Sequence, residues 1–224
     1  MIDVHSVKGN GHIISKEFAI TDYTEIQSSG VAEIIYEQQT IKEPYLQVNV
    51  DENILPLLDV KVENNKLIIK YKDNGNIQPS RFKVYTNSSS LEKVKLAGSG
   101  EVHLKGEVNS KSLKIDLAGS GDIVADSLYC ERFDMSIAGS GTARLKGGSN
   151  ESKFSVAGSG DIKGYHFSVR DLVCSIAGSG DVQITVGESL KATVAGSGDL
   201  RYYGDPKVVD TKIAGSGEVK REAH

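Results

Sequence analysis

Acidic residues recur at one fixed position in this sequence, directly after a repeated Ala-Gly-Ser-Gly motif. The position is occupied by Glu101, Asp122, Thr142, Asp161, Asp181, Asp199 and Glu218. Carboxylates stacked at successive corners are suited to calcium, which prefers oxygen ligands. Alternatively, a carboxylate beside a tight turn accepts hydrogen bonds from backbone N–H groups. We favour the structural role, because calcium-binding β-rolls repeat about every nine residues with more Gly and Asp per turn.

Acid–base catalysis on a carbohydrate is another role for carboxylates on an extended β surface. The candidates are Asp181, Asp199 and Arg201, which lie on neighbouring repeats. Each stands where the repeat already places a polar residue, so none departs from the pattern. No metal-binding spacing occurs among the five histidines, which are His5, His12, His103, His166 and His224. The sequence therefore predicts a non-enzymatic protein with no catalytic residue, metal or cofactor.

An aromatic group in the later repeats is the candidate ligand patch. It consists of Tyr165, His166, Arg201 and Tyr203. Exposed tyrosines with polar neighbours are suited to stacking on sugar rings. Tyr202 shares the alternation phase of Leu104 and Ile184, so we expect its side chain to face inward. The alternative is that these aromatic residues only cover the last repeats.

The framework for these residues is a repeat of about twenty residues. Ala-Gly-Ser-Gly returns every 18 to 21 residues, beginning at Ala97, Ala118, Ala138, Ala157, Ala177, Ala195 and Ala214. Apolar residues stand one and three positions before each Ala, as Leu96 and Val94 do, with a polar residue between them. The arm after the corner alternates in the same way. This period-two pattern predicts that each repeat is a strand, a sharp corner and a second strand.

Two glycines form each predicted corner, and we expect both to adopt positive φ angles. The structural corners are Gly98, Gly100, Gly119, Gly121, Gly139, Gly141, Gly158, Gly160, Gly178, Gly180, Gly196, Gly198, Gly215 and Gly217. A hairpin meander and a coiled solenoid both contain such corners. We favour an all-β, right-handed parallel β-helix, because stacking rungs about 4.8 Å apart places like residues on like.

Residues 1–90 follow the repeat less closely than residues 91–224, which contain the seven corners. Residues 26–34 read as a degenerate copy with Ile26, Ala32 and Ile34 inward. Residues 40–90 break the period and predict strands near 45–50 and 81–85 and a hairpin turning at Asn64-Asn65. We expect these strands to form an irregular β cap on the N-terminal side, within one continuous domain.

Composition excludes several classes of protein. The formal net charge is −4 and no basic stripe occurs, which argues against a nucleic-acid partner. The sequence contains no run of about eighteen apolar residues, so we expect no transmembrane segment. No apolar signal core follows Met1. Cys130 and Cys174 lie two repeats apart, about 9.6 Å in a stack, so we expect two free thiols.

Three stretches carry a family resemblance. They are Gly9-Asn10-Gly11, residues 29–34 followed by Asp51-Glu52-Asn53-Ile54-Leu55, and the repeated Gly-Ser-Gly-Asp. Through these, the chain resembles over nearly its whole length the auto-transporter adhesin "head GIN" domain family of Bacteroidetes, long a domain of unknown function. The resemblance implies a right-handed β-helix similar in shape to pectin lyases, an exported or surface location and a role in adhesion.

The function predicted from these observations is that of an exported surface or periplasmic binding module acting through an extended β-helix face. Its partner would be a host or bacterial surface glycan or protein. The variable outer connections, such as residues 105–110 and 146–150, are where solenoids often bind partners. A carbohydrate-active enzyme and a structural envelope spacer are the alternatives. Self-association is expected to be weak, because Pro206, Lys212 and Lys220 blunt the final edge.

Overall fold

A computed structural model describes residues 6–73 and 75–223 of the chain. The strands are β1 (Val7–Lys8), β2 (Ile13–Glu17), β3 (Glu25–Gly30), β4 (Glu33–Gln38), β5 (Tyr45–Asp51), β6 (Leu58–Glu63), β7 (Lys66–Tyr71), β8 (Ile77–Gln78), β9 (Phe82–Ser88), β10 (Lys93–Gly98), β11 (Glu101–Gly119), β12 (Asp122–Gly139), β13 (Thr142–Gly158), β14 (Asp161–Gly178), β15 (Val182–Gly196), β16 (Leu200–Tyr203), β17 (Val208–Gly215) and β18 (Val219–Arg221). One 3-10 turn, Leu55–Leu57, is the only helical element among the described residues.

The repeats stack as a parallel β-solenoid of about 6 turns, as predicted. Equivalent residues of successive rungs pair in parallel, so that Gly98 aligns with Gly119 and Gly119 with Gly139. A hairpin meander would pair the arms antiparallel and is thereby excluded.

Each full coil has three arms, one more than the predicted strand–corner–strand unit. In β11 the arms are residues 101–104, 107–110 and 112–119, each paired with the equivalent arm of β12. We call residues 105–106 the first bend and Lys111 the second bend. The glycine corner then joins the third arm to the first arm of the next coil.

The two glycines of each corner are needed for different reasons. The first has a positive φ, from 110° at Gly98 to 130° at Gly215. The second lacks a positive φ, so that part of the prediction is wrong. A Cβ atom at Gly141 would instead lie 2.4 Å from the carbonyl oxygen of Gly121 and 2.7 Å from Leu117 Cδ2. Close approach of stacked backbones therefore excludes a side chain at the second glycine.

The core lies inside the coils and follows the predicted alternation. Val94 and Leu96 are buried, as are the equivalent residues of each rung up to Ala192 and Val194. Tyr202 is also buried, as predicted. Ile213 shares the inward phase but is 47% exposed, because no described strand stacks on the outer edge of β17.

The N-terminal segment contributes the first rung of the stack. Gly30 aligns with Gly98, and Ile26, Ala32 and Ile34 are buried, which confirms the degenerate copy. Beyond this rung the sheet continues along two branches. One adds β7 in parallel to β3 and then β6 antiparallel to β7, whereas the other adds β9 in parallel to β4 and then antiparallel β5 and β2.

Most of these added strands, namely β5, β6, β7 and β9, belong to the cap, which we define as residues 40–90, and β2 pairs with the cap strand β5. The predicted hairpin is confirmed, with φ angles of 51° at Asn64 and 59° at Asn65. The cap adds apolar side chains to the core, among them Val48, Leu67 and Val84. It therefore covers the N-terminal end of the stack.

One buried carboxylate, Asp51, fastens the N-terminal turn to the cap. It accepts hydrogen bonds of 2.8 Å from the N–H groups of Gly11 and Ser80 and one of 2.5 Å from the Ser80 hydroxyl. Burial opposes ionisation, but these bonds and a longer one from the Arg81 N–H lower the pKa of Asp51 to about 2. The two short motifs that carry the resemblance in this region, residues 9–11 and 51–55, are thus in direct contact.

Candidate functional site

Three of the acidic residues that follow the corners, Asp161, Asp181 and Asp199, form a hydrogen-bonded ladder. Asp161 Oδ1 accepts a hydrogen bond of 3.0 Å from the backbone N–H of Asp181. Asp181 Oδ1 accepts a hydrogen bond of 2.9 Å from the backbone N–H of Asp199, and Asp199 Oδ1 accepts one of 3.0 Å from the backbone N–H of Glu218. Each carboxylate therefore binds the backbone of the next rung, which is the kind of contact that a structural role requires.

Of the residues considered for catalysis, Asp181 and Asp199 belong to this ladder and Arg201 is paired with Asp199. Arg201 Nη2 donates to Asp199 Oδ2 at 3.2 Å, so both carboxylate oxygens of Asp199 accept a hydrogen bond. Among residues 6–73 and 75–223, no three His, Cys, Asp or Glu side chains come together in a group that could hold a metal ion. The ladder carboxylates are therefore engaged in contacts between rungs.

The other titratable candidates are also accounted for by local contacts. His12 lies 2.9 Å from Glu52 and His103 lies 2.9 Å from Asp126. His5 and His224 lie outside the described residues. Cys130 and Cys174 are free, as predicted, and both are buried, which raises the pKa of both thiols to about 12. Both therefore stay protonated at neutral pH.

The predicted aromatic patch is brought together in part. The rings of Tyr165 and Tyr203 stack with their centroids 4.4 Å apart. The Tyr165 hydroxyl donates a hydrogen bond of 2.7 Å to Glu222, and Arg201 lies 3.9 Å from the same carboxylate. Burial raises the pKa of Tyr165 to about 12, and the contact with Glu222 adds to this. The polar groups of Tyr165 and Arg201 are therefore already engaged in contacts within the protein.

A bulge in β14 positions Tyr165. The pairing with β15 passes from Gly164 directly to Ser168, so residues 165–167 have no counterpart there. Tyr165 thereby reaches across one rung to Tyr203. His166 is exposed and aligns instead with Lys146 on the other side. The structure thus joins Tyr165 and Arg201 through Glu222, a residue to which no sequence pattern points, and Tyr203 joins them by stacking on Tyr165.

A larger concave surface than the aromatic cluster offers lies elsewhere, along the second bend. This surface, which we call the lateral groove, has a volume of about 840 Å³ and crosses six rungs. It begins at Thr24 and Glu25 of the first rung and ends at Arg170 of β14. The second-bend residues of four successive coils line it, namely Lys111, Glu131, Asn150 and Arg170.

The charges along the lateral groove are balanced. Four acidic and four basic side chains line it, and they are Glu25, Glu92, Glu131, Glu151, Lys93, Lys111, Arg132 and Arg170. Some of them pair, as Arg132 and Glu151 do at 3.6 Å. The groove therefore lacks the single-sign field that would steer a strongly charged ligand.

A second hollow of about 500 Å³ opens from the lateral groove and contains Tyr129. The two share Asn109, Lys111, Glu131 and Asn150 among their lining residues. Tyr129 is 48% exposed and is aligned with Asn109 on one side and Gly148 on the other. Because glycine has no side chain, one side of the tyrosine ring is left uncovered.

The sequence offered only an indirect signal for the lateral groove. The variable connections at 105–110 and 146–150 were predicted as binding positions, and Asn109 and Asn150 do line it. Nothing in the sequence points to Tyr129, because its alignment with Gly148 depends on the register between β12 and β13.

Comparisons with known proteins agree with this fold. The chain is similar to a solved structure described as a putative adhesin from Bacteroides fragilis, with a TM-score of 0.92 and 24% identity over 96% of this chain and 100% of that one. It is similar to a putative adhesin from Parabacteroides distasonis, with a TM-score of 0.79 and 30% identity over 97% and 100% of the two chains.

A third similar structure carries a different description. It is named as a putative lipid binding protein from Parabacteroides distasonis, with a TM-score of 0.80 and 30% identity over 98% of this chain and 100% of that one.

No curated protein matches the chain. No described helix is long and apolar enough to cross a membrane. The model of one protein family matches residues 22–206, and the chain therefore belongs to the family described as "Putative auto-transporter adhesin, head GIN domain".

Proposed function

We propose that this protein is a non-enzymatic adhesin-type binding module, exported to the cell surface, outer membrane or periplasm, that holds an extended partner along the lateral groove. The observation that carries the proposal is the groove itself, which has a volume of about 840 Å³ and crosses six rungs. Solenoids use such extended surfaces to bind partners, and membership of an adhesin family is consistent with that use.

The rigidity of the stack supports binding at this surface. Each lining residue from β11 to β13 is held by a rung that pairs with its neighbours on both sides, so the groove is largely preformed. A preformed surface loses less conformational entropy on binding than a flexible loop does. The enzyme alternative has less support, because Asp181 and Asp199 are engaged in the ladder.

Blocking the lateral groove with a thiol-specific label tests the proposal. Asn150→Cys, coupled to a bulky maleimide, places an obstacle inside the groove, whereas labelled Lys163→Cys places one on the first arm, outside the residues that line the groove. The native thiols are buried and their pKa values are about 12, so the labelling is selective at neutral pH.

The probes are immobilised neutral glycans, acidic glycans, mucin, collagen and fibronectin, with a parallel assay for released sugars. We expect the parent to bind one of these classes without releasing product. Labelled Asn150→Cys should lose at least about tenfold in affinity, and labelled Lys163→Cys should match the parent. Unchanged binding after groove labelling, binding to none of the probes, or release of product would each overturn the proposal.

A further inference from the structure

We propose that the lateral groove, together with the hollow that contains Tyr129, binds an uncharged glycan chain that runs parallel to the solenoid axis, with one sugar ring stacked on Tyr129. This inference rests on the proposed function and adds the chemical class of the partner and its orientation. It is supported by the shape of the groove, the exposed aromatic ring and the balance of charge.

The shape indicates a linear ligand that crosses the rungs. The groove follows the second bend through successive coils rather than along one strand. Rungs repeat about every 4.8 Å, which is close to the length of one linked pyranose unit. Six rungs therefore present equivalent positions to several consecutive sugars.

Tyr129 supplies the apolar contact that a sugar ring needs. The C–H face of a pyranose is apolar, and an aromatic ring offers a flat apolar surface with a polar hydroxyl at its edge. Tyr129 is 48% exposed, and its neighbour on the next rung is Gly148. In the equivalent place one rung further stands Ser168, whose small side chain also leaves space.

Polar groups beside this ring suit hydroxyl groups rather than ions. Asn109 donates from Nδ2 to Glu107 at 2.7 Å, which holds its amide in place. The Asn150 amide has no partner among the described residues, so it can both donate to and accept from a ligand. Because acidic and basic side chains along the groove are equal in number, the groove favours neither a polyanion nor a polycation.

The test uses calorimetric titration with four neutral hexasaccharides, namely cellohexaose, maltohexaose, mannohexaose and chitohexaose, and with their disaccharides. We expect one hexasaccharide to bind at least about tenfold more tightly than its disaccharide, because a longer chain contacts more rungs. Its affinity should change less than about twofold between 50 and 500 mM salt, as screening acts on charged ligands.

Variants of the ring locate the contact. Tyr129→Ala should lower the affinity at least about tenfold, whereas Tyr129→Phe should stay within about threefold because it keeps the ring. Tyr45→Ala is the matched control, since Tyr45 is an exposed tyrosine that lines neither the groove nor the adjoining hollow, and it should leave binding unchanged.

The two proposals fail in different ways. If labelled Asn150→Cys abolishes binding to the probe panel but no neutral hexasaccharide binds, the groove holds a protein or a charged ligand and the glycan inference is overturned. The glycan inference is also overturned if Tyr129→Ala binds as tightly as the parent. If the labelled variant retains its binding, the proposed function itself is wrong.

Discussion

The glycine corners and the N-terminal cap are two parts of one sheet structure that are stabilised in opposite ways. At the corners, stacked backbones approach so closely that a Cβ atom on Gly139 would lie 2.4 Å from the carbonyl oxygen of Gly119. What the corner requires is the absence of side chains. The same requirement recurs in each of the seven Ala-Gly-Ser-Gly corners, and this is why the motif repeats.

The cap depends instead on particular polar side chains, each used once. Asp51 holds the N-terminal turn, and Tyr23 shares a buried hydrogen bond of 2.6 Å with Thr86. Tyr36 likewise shares one of 2.9 Å with Ser88. A repeated architecture is thus specified by backbone contact, whereas an irregular end is specified by individual side-chain contacts.

The largest expected effect comes from placing a side chain in a corner. Gly139→Val should lower the free energy of unfolding by more than about 3 kcal/mol, because a β-branched residue disfavours the φ of 122° and its Cβ would strike Gly119. Chemical denaturation followed by circular dichroism measures the change.

Gly187→Ala is the matched control for this prediction. Gly187 has no positive φ and its nearest atoms to an added Cβ lie 3.8 Å away, which is ordinary contact. Its substitution should change stability by less than about 1 kcal/mol. Equal losses in the two variants would show that the corner is not specially constrained.

The next largest effect is expected in the cap. Asp51→Ala should cost about 3 kcal/mol, because it leaves the buried N–H groups of Gly11 and Ser80 without their acceptor. In hydrogen exchange, protection should fall in residues 6–17 and 75–81 while the later rungs keep theirs. Uniform loss of protection along the chain would contradict the separate stabilisation of the two regions.

Acid should weaken the cap through the same carboxylate. The pKa of Asp51 is about 2 in the folded protein, below the ordinary value of about 3.9 in an unfolded chain. Its contribution is therefore complete above pH 4 and is lost as the pH falls towards 2. Chemical denaturation at several pH values between 5 and 2 should show that the free energy of unfolding decreases less for Asp51→Asn than for the parent. If the free energies of the two proteins fall in parallel with pH, this assignment is refuted.

A smaller effect is expected in the acidic ladder. Asp181→Ala removes one exposed acceptor of the Asp199 N–H and should cost less than about 1 kcal/mol. Thr142 shows that the stack tolerates a neutral residue at this position. A loss as large as that of Gly139→Val would mean that the ladder, rather than the glycines, holds the rungs together.

The smallest expected effect is that of calcium. Melting curves in millimolar calcium and in EDTA should superimpose, because the carboxylates of Asp161, Asp181 and Asp199 already accept backbone hydrogen bonds. A site that bound calcium only in the folded state would raise the melting temperature. A shift of several degrees would assign the ladder a metal-binding role.

The amino-acid sequence was enough to predict the repeat, the position of the corners and the inward residues. When coils stack in register, residues one repeat apart in the sequence become neighbours in space. Leu96 and Leu117 are neighbours in space since they share a phase. The hairpin at Asn64-Asn65 could also be predicted, because the turn is local and asparagine tolerates positive φ.

The candidate binding surfaces, in contrast, depend on how the coils fit together in three dimensions. Coils differ by one to three residues in length, so bulges set which outward side chains meet. One such bulge brings Tyr165 to Tyr203, and the pairing of β12 with β13 sets Gly148 beside Tyr129. The reason for the second corner glycine could not be predicted either, because the atoms that exclude a side chain there belong to the preceding rung.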